Sequence, residues 1–429
     1  MSEVFFNSIV TTLSTSVGKF LLILLPITLP IMLVYVFWVI RFRWLTMKFV
    51  ASQKTCLLEI KLPKEIFKSP AGMEIFFSQL TPGGAGGWTE AFLDGKTRPF
   101  FSFEIVSIGG NVRFFVYCSQ AKFKNLVESQ LYAQYPNIEI FEVKEEDDYT
   151  KMINFDTVKY NMYGLQYRLT QPDPYPIKTY IDYGLDKDQK DEYKVDPITS
   201  LLEFLGSMKQ GENVWFQILI QRHEKEGKFH GTLDEAKDLK AEIKKAIEEI
   251  RKETLPPDSD DGTTIKFPNP TKGQSERIAA LERSASKTAF DCMIRTLYIY
   301  ETTEGIFNPG NIGALIGCVK QYNSNTLNGF KPGVMTDASD TYKDFARLVP
   351  FVKGFMNRRI ARVKKGLFHA YKLRSFFQYP YKNYENKPFV LTTEELATIF
   401  HFPSGMVSQT PTLKRVESRK SEAPSNLPI

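Results

Sequence analysis

Three features of the 429-residue chain predict an α+β fold carried behind one N-terminal transmembrane helix. The first is an uninterrupted apolar run from Phe20 to Ile40. The second is a succession of strand and helix signals that twice follows the order β-α-β-β-α-β. The third is a charged insertion with apolar residues at helical spacing, placed inside the second succession.

A bilayer core of about 30 Å takes about 20 apolar residues in helical form, and no charge lies between Lys19 and Arg41. Arg41, Arg43 and Lys48 crowd the C-terminal end of the run, whereas the first eighteen residues hold one acid, Glu3, and no base. The positive-inside bias then puts residues 1–19 outside and the bulk of the chain in the cytoplasm, as a single-pass protein of the cell membrane. A cleaved signal peptide calls for a basic start, a shorter apolar core and a small-residue cleavage site, none of which this stretch offers. Pro26 and Pro30 are expected to kink the helix rather than break it, because lipid gives the backbone no other partner.

Behind the anchor, about 385 residues suffice for two or three domains. Charged residues make up 24% and aromatic ones 14%, so most of this length is expected to fold. Cys56, Cys118, Cys292 and Cys318 lie far apart with no CxxC pair, each in an apolar run, and read as reduced core residues of a reducing compartment. The net charge of +6 hides an asymmetry: Lys343 to Arg374 holds ten Lys or Arg against Asp344 alone, a local +9 that leaves −3 for everything else.

The first module is expected over residues 50–147. Cys56 to Leu62 alternates as a strand does, and Pro70 to Leu80 reads as a helix with Met73, Phe76, Phe77 and Leu80 on one face. Phe100 to Ile108 and Val112 to Cys118 are strands joined at Gly109-Gly110-Asn111, a hairpin signal. Ala121 to Tyr135 is a helix, with Phe123, Leu126, Val127 and Leu131 along one side, and Ile138 to Val143 closes the module. This is the ferredoxin-like split pattern. The RNA-recognition fold shares the order, but Val112 to Cys118 lacks that fold's Gly-aromatic-Gly/Ala-Phe strand, so its rings read as core.

A second ferredoxin-like module is expected over 160–335: a strand at Tyr163 to Leu169, a helix from Asp196-Pro197 through Leu205, strands at Asn213 to Gln221 and Phe290 to Tyr300, and a helix from Asn308 to about Tyr322. Ile177 to Tyr183 reads as extended, Gly329 to Pro332 as a turn, and residues 323–345 resist assignment otherwise. The insertion, 232–286, opens on the capping box Thr232 to Glu235. It places Ala236, Leu239, Ile243, Ala246 and Ile250, then Ile278, Leu281 and Ala285, at spacings of three and four around an acidic turn at Asp258 to Gly262. Such a narrow seam makes a helical hairpin that either packs on itself or joins copies into a homo-oligomer. Residues 340–402 hold a basic helix, Arg358 to Phe377, a short extended piece at Phe389 to Leu391 and a capped helix, Glu394 to Phe400, before a polar tail at 403–429.

Candidate chemistry is sparse. Thr81-Pro-Gly-Gly-Ala-Gly-Gly lacks the Lys-Ser/Thr that a phosphate loop needs at a helix start, and no GxxxxGK[ST] occurs. His223, His230, His369 and His401 form no HExxH pattern; His223 and His230 with Glu224 and Glu226 make at most a weak surface metal site. Hence no cofactor, resident metal or enzymatic activity is expected. The basic stretch is richer. Arg358, Arg359, Arg362, Lys364, Lys365, Lys372 and Arg374 interleave with Phe351, Phe355, Phe368, Tyr371, Phe376 and Phe377. Such a face either binds phosphates, of nucleic acid or of anionic lipid, or is a solvated helix face with its rings packed inward.

Four stretches carry a resemblance: Tyr132 to Ile140, Phe101 to Gly110, the Asp196-Pro-Ile-Thr-Ser-Leu-Leu helix, and Leu391-Thr-Thr-Glu-Glu-Leu-Ala-Thr-Ile-Phe-His-Phe-Pro403. They resemble the N-terminal region of conjugative type IV secretion ATPases of the coupling-protein or hexameric-helicase type, as found in candidate-phyla bacteria. There, a membrane anchor and an uncharacterised α+β region precede a DNA-translocating motor. The resemblance runs from residue 20 almost to the end, where Ala423 to Pro428 is similar to the passage into the motor's first strand. With no motor residues to carry over, it implies a platform that docks a separately encoded ATPase. Glu394, Glu395, His401 and Phe402 would then face the motor, and the basic segment would guide DNA or brace the membrane. A stand-alone, membrane-tethered nucleic-acid-binding protein or a self-associating scaffold is the alternative.

Overall fold

The structure, a computed structural model, describes residues 2–63, 69–80, 88–155, 159–187, 195–224, 238–254, 270–303, 305–336 and 350–403. The glycine-rich loop at 81–87, the capping box at 232–235 with Ala236, the acidic turn at 258–262 and the tail from 404 lie outside these residues. Two compact units emerge, Met1–Ser52 with Ala85–Thr97, and Gln53–Gly84 with Arg98–Ile429.

The first unit is built on helix α1, Ser2–Ser52. Its stretch Leu24–Ser52 is long and apolar enough to cross a membrane, and no residue of its most apolar 18-residue window is buried within the protein. At 1.5 Å per residue the whole helix is about 75 Å long, more than twice a bilayer core. Pro26 and Pro30 stand inside it without ending it. A six-residue helix, α3 (Trp88–Leu93), belongs to the same unit. Too short to show a period, it has no counterpart in the sequence reading.

The second unit is organised by one antiparallel sheet. Its first four strands are β1 (Cys56–Lys61), β2 (Phe101–Ile108), β3 (Asn111–Cys118) and β4 (Glu139–Val143), the expected set. Then come β5 (Tyr160–Leu169), β6 (Glu212–Arg222), β7 (Ala289–Glu301) and β8 (Phe330–Met335). The spatial order is β4-β1-β3-β2-β6-β7-β5-β8, with a ninth strand, β9 (Phe389–Thr392), on β7. Each half therefore places its own four strands fourth-first-third-second, and the second half reads in mirror order. The halves are not separated modules. Strands β2 and β6 pair from Phe101 opposite Ile220 to Ile108 opposite Asn213, and one hydrophobic cluster runs through both halves.

Side-chain alternation gives this sheet two apolar faces. On one, Leu58, Ile60, Phe103, Phe114, Phe216 and Ile218 pack under α2 (Ala71–Gln79), α4 (Lys124–Gln134), α5 (Ile198–Gly206) and α8 (Gly310–Gly317). Met73, Phe76, Phe77 and Leu80 of the α2 segment are all buried there, as their spacing predicts. On the other face, Leu57, Val106, Phe115, Trp215 and Leu297 meet Leu367, Phe368 and Tyr371 of a long helix, α9 (Pro350–Lys372). Gly164 of β5 permits that approach: a Cβ there would stand 2.4 Å from Leu367 Cδ2.

Several expectations change in detail. Residues 330–335 are an edge strand rather than a turn, since β5 offers them a free ladder and Pro332 lacks only a donor that an edge does not need. Residues 180–186 form turns, with Asp182 Oδ2 accepting from the Thr179 amide, where an extended run was expected. The helix expected to reach Tyr322 stops at Gly317 and continues as a 3-10 turn, Lys320–Tyr322. The insertion forms α6 (Leu239–Glu253) and α7 (Lys272–Ala285), whose seam of Leu239, Ile243, Ala246, Ile250 and Leu281 is covered by the hairpin itself, Val390 and Tyr175.

Candidate functional site

Helix α9 sorts its residues by face. Leu367, Phe368 and Tyr371 point into the sheet, and Trp215 stacks on Phe368 with ring centres 6.1 Å apart. Arg358, Arg359, Arg362 and Lys365 are exposed on the opposite side. Arg358, Arg362 and Lys365 follow the spacing that puts them in one row. Lys364 is half-buried, its Nζ donating to Asn161 Oδ1 at 3.1 Å, and Lys372 is half-buried with its ammonium 5.4 Å from the centre of the Phe368 ring. A row of guanidinium and ammonium groups on one face creates a positive potential that attracts phosphate. The side chains of Phe351, Lys353 and Phe355 lie outside the described residues.

Arg374 does not belong to that row. It is 3% exposed and forms two paired hydrogen bonds to each of two carboxylates, Glu104 (2.8 and 3.1 Å) and Asp148 (2.9 and 3.3 Å). Its backbone, at φ 49°, turns the chain out of α9, so that the Ser375 amide donates to the Ala370 carbonyl. Glu104 also accepts from Ser102, Gln217 and Tyr149, each at 2.7 Å. Gln217 in turn accepts from Arg295 Nε at 2.6 Å, and Arg295 donates to the carbonyls of Ala370 and Ser375. Register makes this row: Glu104 stands opposite Gln217, and Gln217 opposite Arg295, across β2, β6 and β7. Burial opposes charge on both arginines. It pulls Arg295 down to about 9, still charged at neutral pH, whereas for Arg374 burial, the largest single effect, is outweighed by Glu104, Tyr149 and Asp148 together, which raise the pKa well above the usual value.

The residues expected to face a motor are interior. Helix α10 (Thr393–Ile399) packs against α2, with the capping box formed by Thr392 and Glu395. Glu394 accepts from Arg283 Nε at 3.0 Å and from Thr179 Oγ1 at 2.6 Å. Glu395 accepts from the amides of Ile177 and Thr392 and from the Thr392 hydroxyl. Burial outweighs those donors and pushes its carboxyl up to about 7. The His401 ring meets Asp196 Oδ1 at 2.8 Å and the Ala397 carbonyl at 2.9 Å. Phe402 packs edge-on against Phe114 and Tyr135. All four are at most 3% exposed. This stretch thus closes the core, and its side chains are not a docking face.

Of the other candidates, His223 Nδ1 lies 2.6 Å from Asp291 Oδ1, while His230 and Glu226 fall outside the described residues. Among the described residues no group of three or more His, Cys, Asp and Glu is placed to hold a metal. The four cysteines are free and buried, yet Cys56 and Cys118 stand directly opposite on β1 and β3. A hydrogen bond to Cys56, together with burial, holds the Cys118 thiol well above its usual pKa. Strand pairing alone brings these two together, and spacing along the chain gave no sign of it.

These features define a class: an α+β sheet protein behind an N-terminal helix of membrane-spanning length, with a basic helix on one sheet face. The chain belongs to the DUF8128 family, a domain of unknown function, which it matches over residues 87–415. No curated protein matches it. The structural unit is larger than the match, for β1 lies before residue 87 yet is hydrogen-bonded on both sides, to β3 and β4.

Proposed function

We propose that this chain is a non-enzymatic, membrane-anchored platform subunit of a DNA-transfer machine of the type IV secretion kind. Its α1 helix spans the cell membrane once with the N-terminus outside, and its sheet unit lies in the cytoplasm beside an ATPase partner encoded separately. Each half of the sheet is a ferredoxin-like module, a reading supported by the fourth-first-third-second strand order. The observation that carries the function is the row of Arg358, Arg359, Arg362 and Lys365, exposed on a helix whose other face is locked into the sheet. That row guides the phosphate backbone of DNA. The secretion setting rests on the sequence resemblance.

The test uses the full chain in nanodiscs of zwitterionic lipid and a labelled DNA duplex, titrated between low and physiological salt. Binding should weaken steeply with salt, in proportion to the phosphates neutralised. Reversing all four charges (R358E, R359E, R362E, K365E) should weaken it at least tenfold. Binding that ignores both salt and the substitutions would overturn the DNA role. Co-purification of a Walker-type ATPase encoded by the neighbouring reading frame separates a platform from a stand-alone DNA-binding protein.

A further inference from the structure

Helix α3 and the turn after it lie along a particular stretch of α1. The Phe92 ring packs on Trp38 with centres 4.7 Å apart. Gly95, at φ +68°, lies against the α1 backbone so closely that a Cβ would stand 2.4 Å from the Leu45 carbonyl carbon. The contacts therefore span residues 38 to 46 of α1, and Ile40 is where the apolar run ends. At 1.5 Å per residue, Trp38 sits about 3 Å inside that end and Thr46 about 9 Å beyond it. The headgroup layer of a bilayer leaflet is about 5 to 8 Å thick. Segment 88–96 is thus held at the depth of that layer.

Its chemistry is graded to match. At the Trp38 end, Ala91 is buried and Leu93 is 56% exposed. At the other end come Asp94 and Lys96, whose ammonium pairs with Glu90 at 2.8 Å. Along α1 the same grading recurs: Trp38 and Trp44 are exposed, and Arg41 and Lys48 lie over their rings at 5.9 and 5.2 Å. Tryptophan beside basic residues is the composition of a membrane-water interface.

We propose that segment 88–96 is a membrane-interface clip: it lies in the headgroup layer alongside α1 and inserts Leu93 among the upper acyl-chain carbons of a phospholipid leaflet. The proposal rests on the reading that α1 spans a membrane.

Variants of the full chain with one added cysteine, each labelled there with bimane in phosphatidylcholine–phosphatidylglycerol liposomes, test it by quenching with lipids brominated near the carbonyl end of the acyl chain. The native cysteines are buried, so labelling is specific. Labels at Leu93→Cys and at Val34→Cys within the apolar run should each lose at least half their emission relative to unbrominated lipid, while free bimane–cysteine in buffer stays unchanged. Adding Gly95→Val, which pushes the clip off α1, should abolish quenching at position 93 and leave it at position 34. Quenching at 34 but not at 93 would overturn the clip and leave the anchor standing. No quenching at either position would overturn the anchor, and the clip with it.

Discussion

Arg362 and Arg374 are twelve residues apart in one basic segment, and the fold gives them opposite environments. Arg362 stands exposed on α9, while Arg374 lies beneath the same helix, clamped by Glu104 and Asp148. The difference lies in the partners the sheet supplies. Under the end of α9, register brings Glu104, Gln217 and Arg295 into a buried row, and Arg374 bridges its carboxylate to that of Asp148. The inner face of the helix meets Trp215 and Leu297 through Leu367, Phe368 and Tyr371, and Arg358, Arg359, Arg362 and Lys365 stand exposed on its other face. Positive charge in this segment is therefore two populations, one buried among carboxylates and one exposed on a helix face.

Substitution sharpens this contrast, and the largest effect is expected at the buried end. Arg374→Ala leaves Glu104 without its main counter-charge and should cost about 3–5 kcal/mol in urea unfolding, the range for breaking a buried pair. A cost below about 1 kcal/mol would erase the distinction. Next comes Gly164→Ala, which drives a methyl into Leu367 and should cost about 1–3 kcal/mol by overpacking, measured the same way.

The Glu395 carboxyl, raised to about 7, makes stability depend on pH. An unfolded glutamic acid titrates near 4.3, so between about pH 4.5 and 7 the native state holds more protons than the unfolded chain. Stability from this group is full below that window and falls as pH rises through it. In Glu395→Gln the midpoint of urea unfolding should lose that component of the fall between pH 5 and 7; an unchanged slope would assign it to other groups. The smallest change in stability is expected at Arg362→Ala, within about 0.5 kcal/mol as for an exposed surface site. Its effect should appear instead in DNA binding, where the salt slope falls by about one unit.

Local signals made most elements legible. The hairpin at Gly109-Gly110, the helix faces of Met73, Phe76 and Phe77, and the spacing of Leu239, Ile243 and Ile250 each depend on neighbours a few residues away. What the sequence concealed depends on distant partners. Strand β8 contains Pro332 and Gly333 and exists because β5 lends it a ladder; the extended piece from Phe389 was legible, but not its place beside β7. Burial of Glu394, Glu395 and His401 was hidden for the same reason, since their polarity is satisfied by Arg283, Ile177 and Asp196 from far along the chain. Arg374 looked like its neighbours because Glu104 is 270 residues away.

The β2–β6 ladder has a consequence for how the protein comes apart. Eight consecutive residue pairs join the halves at the middle of the sheet, and Phe103, Ile105, Phe216 and Ile218 on those strands share one core. A cut between residues 147 and 160 would leave each fragment with a long, flat strand whose hydrogen-bonding edge is newly open, a template for pairing with other chains. The sheet unit should accordingly melt in one cooperative step, and fragments divided at that point should aggregate where the intact chain stays dispersed.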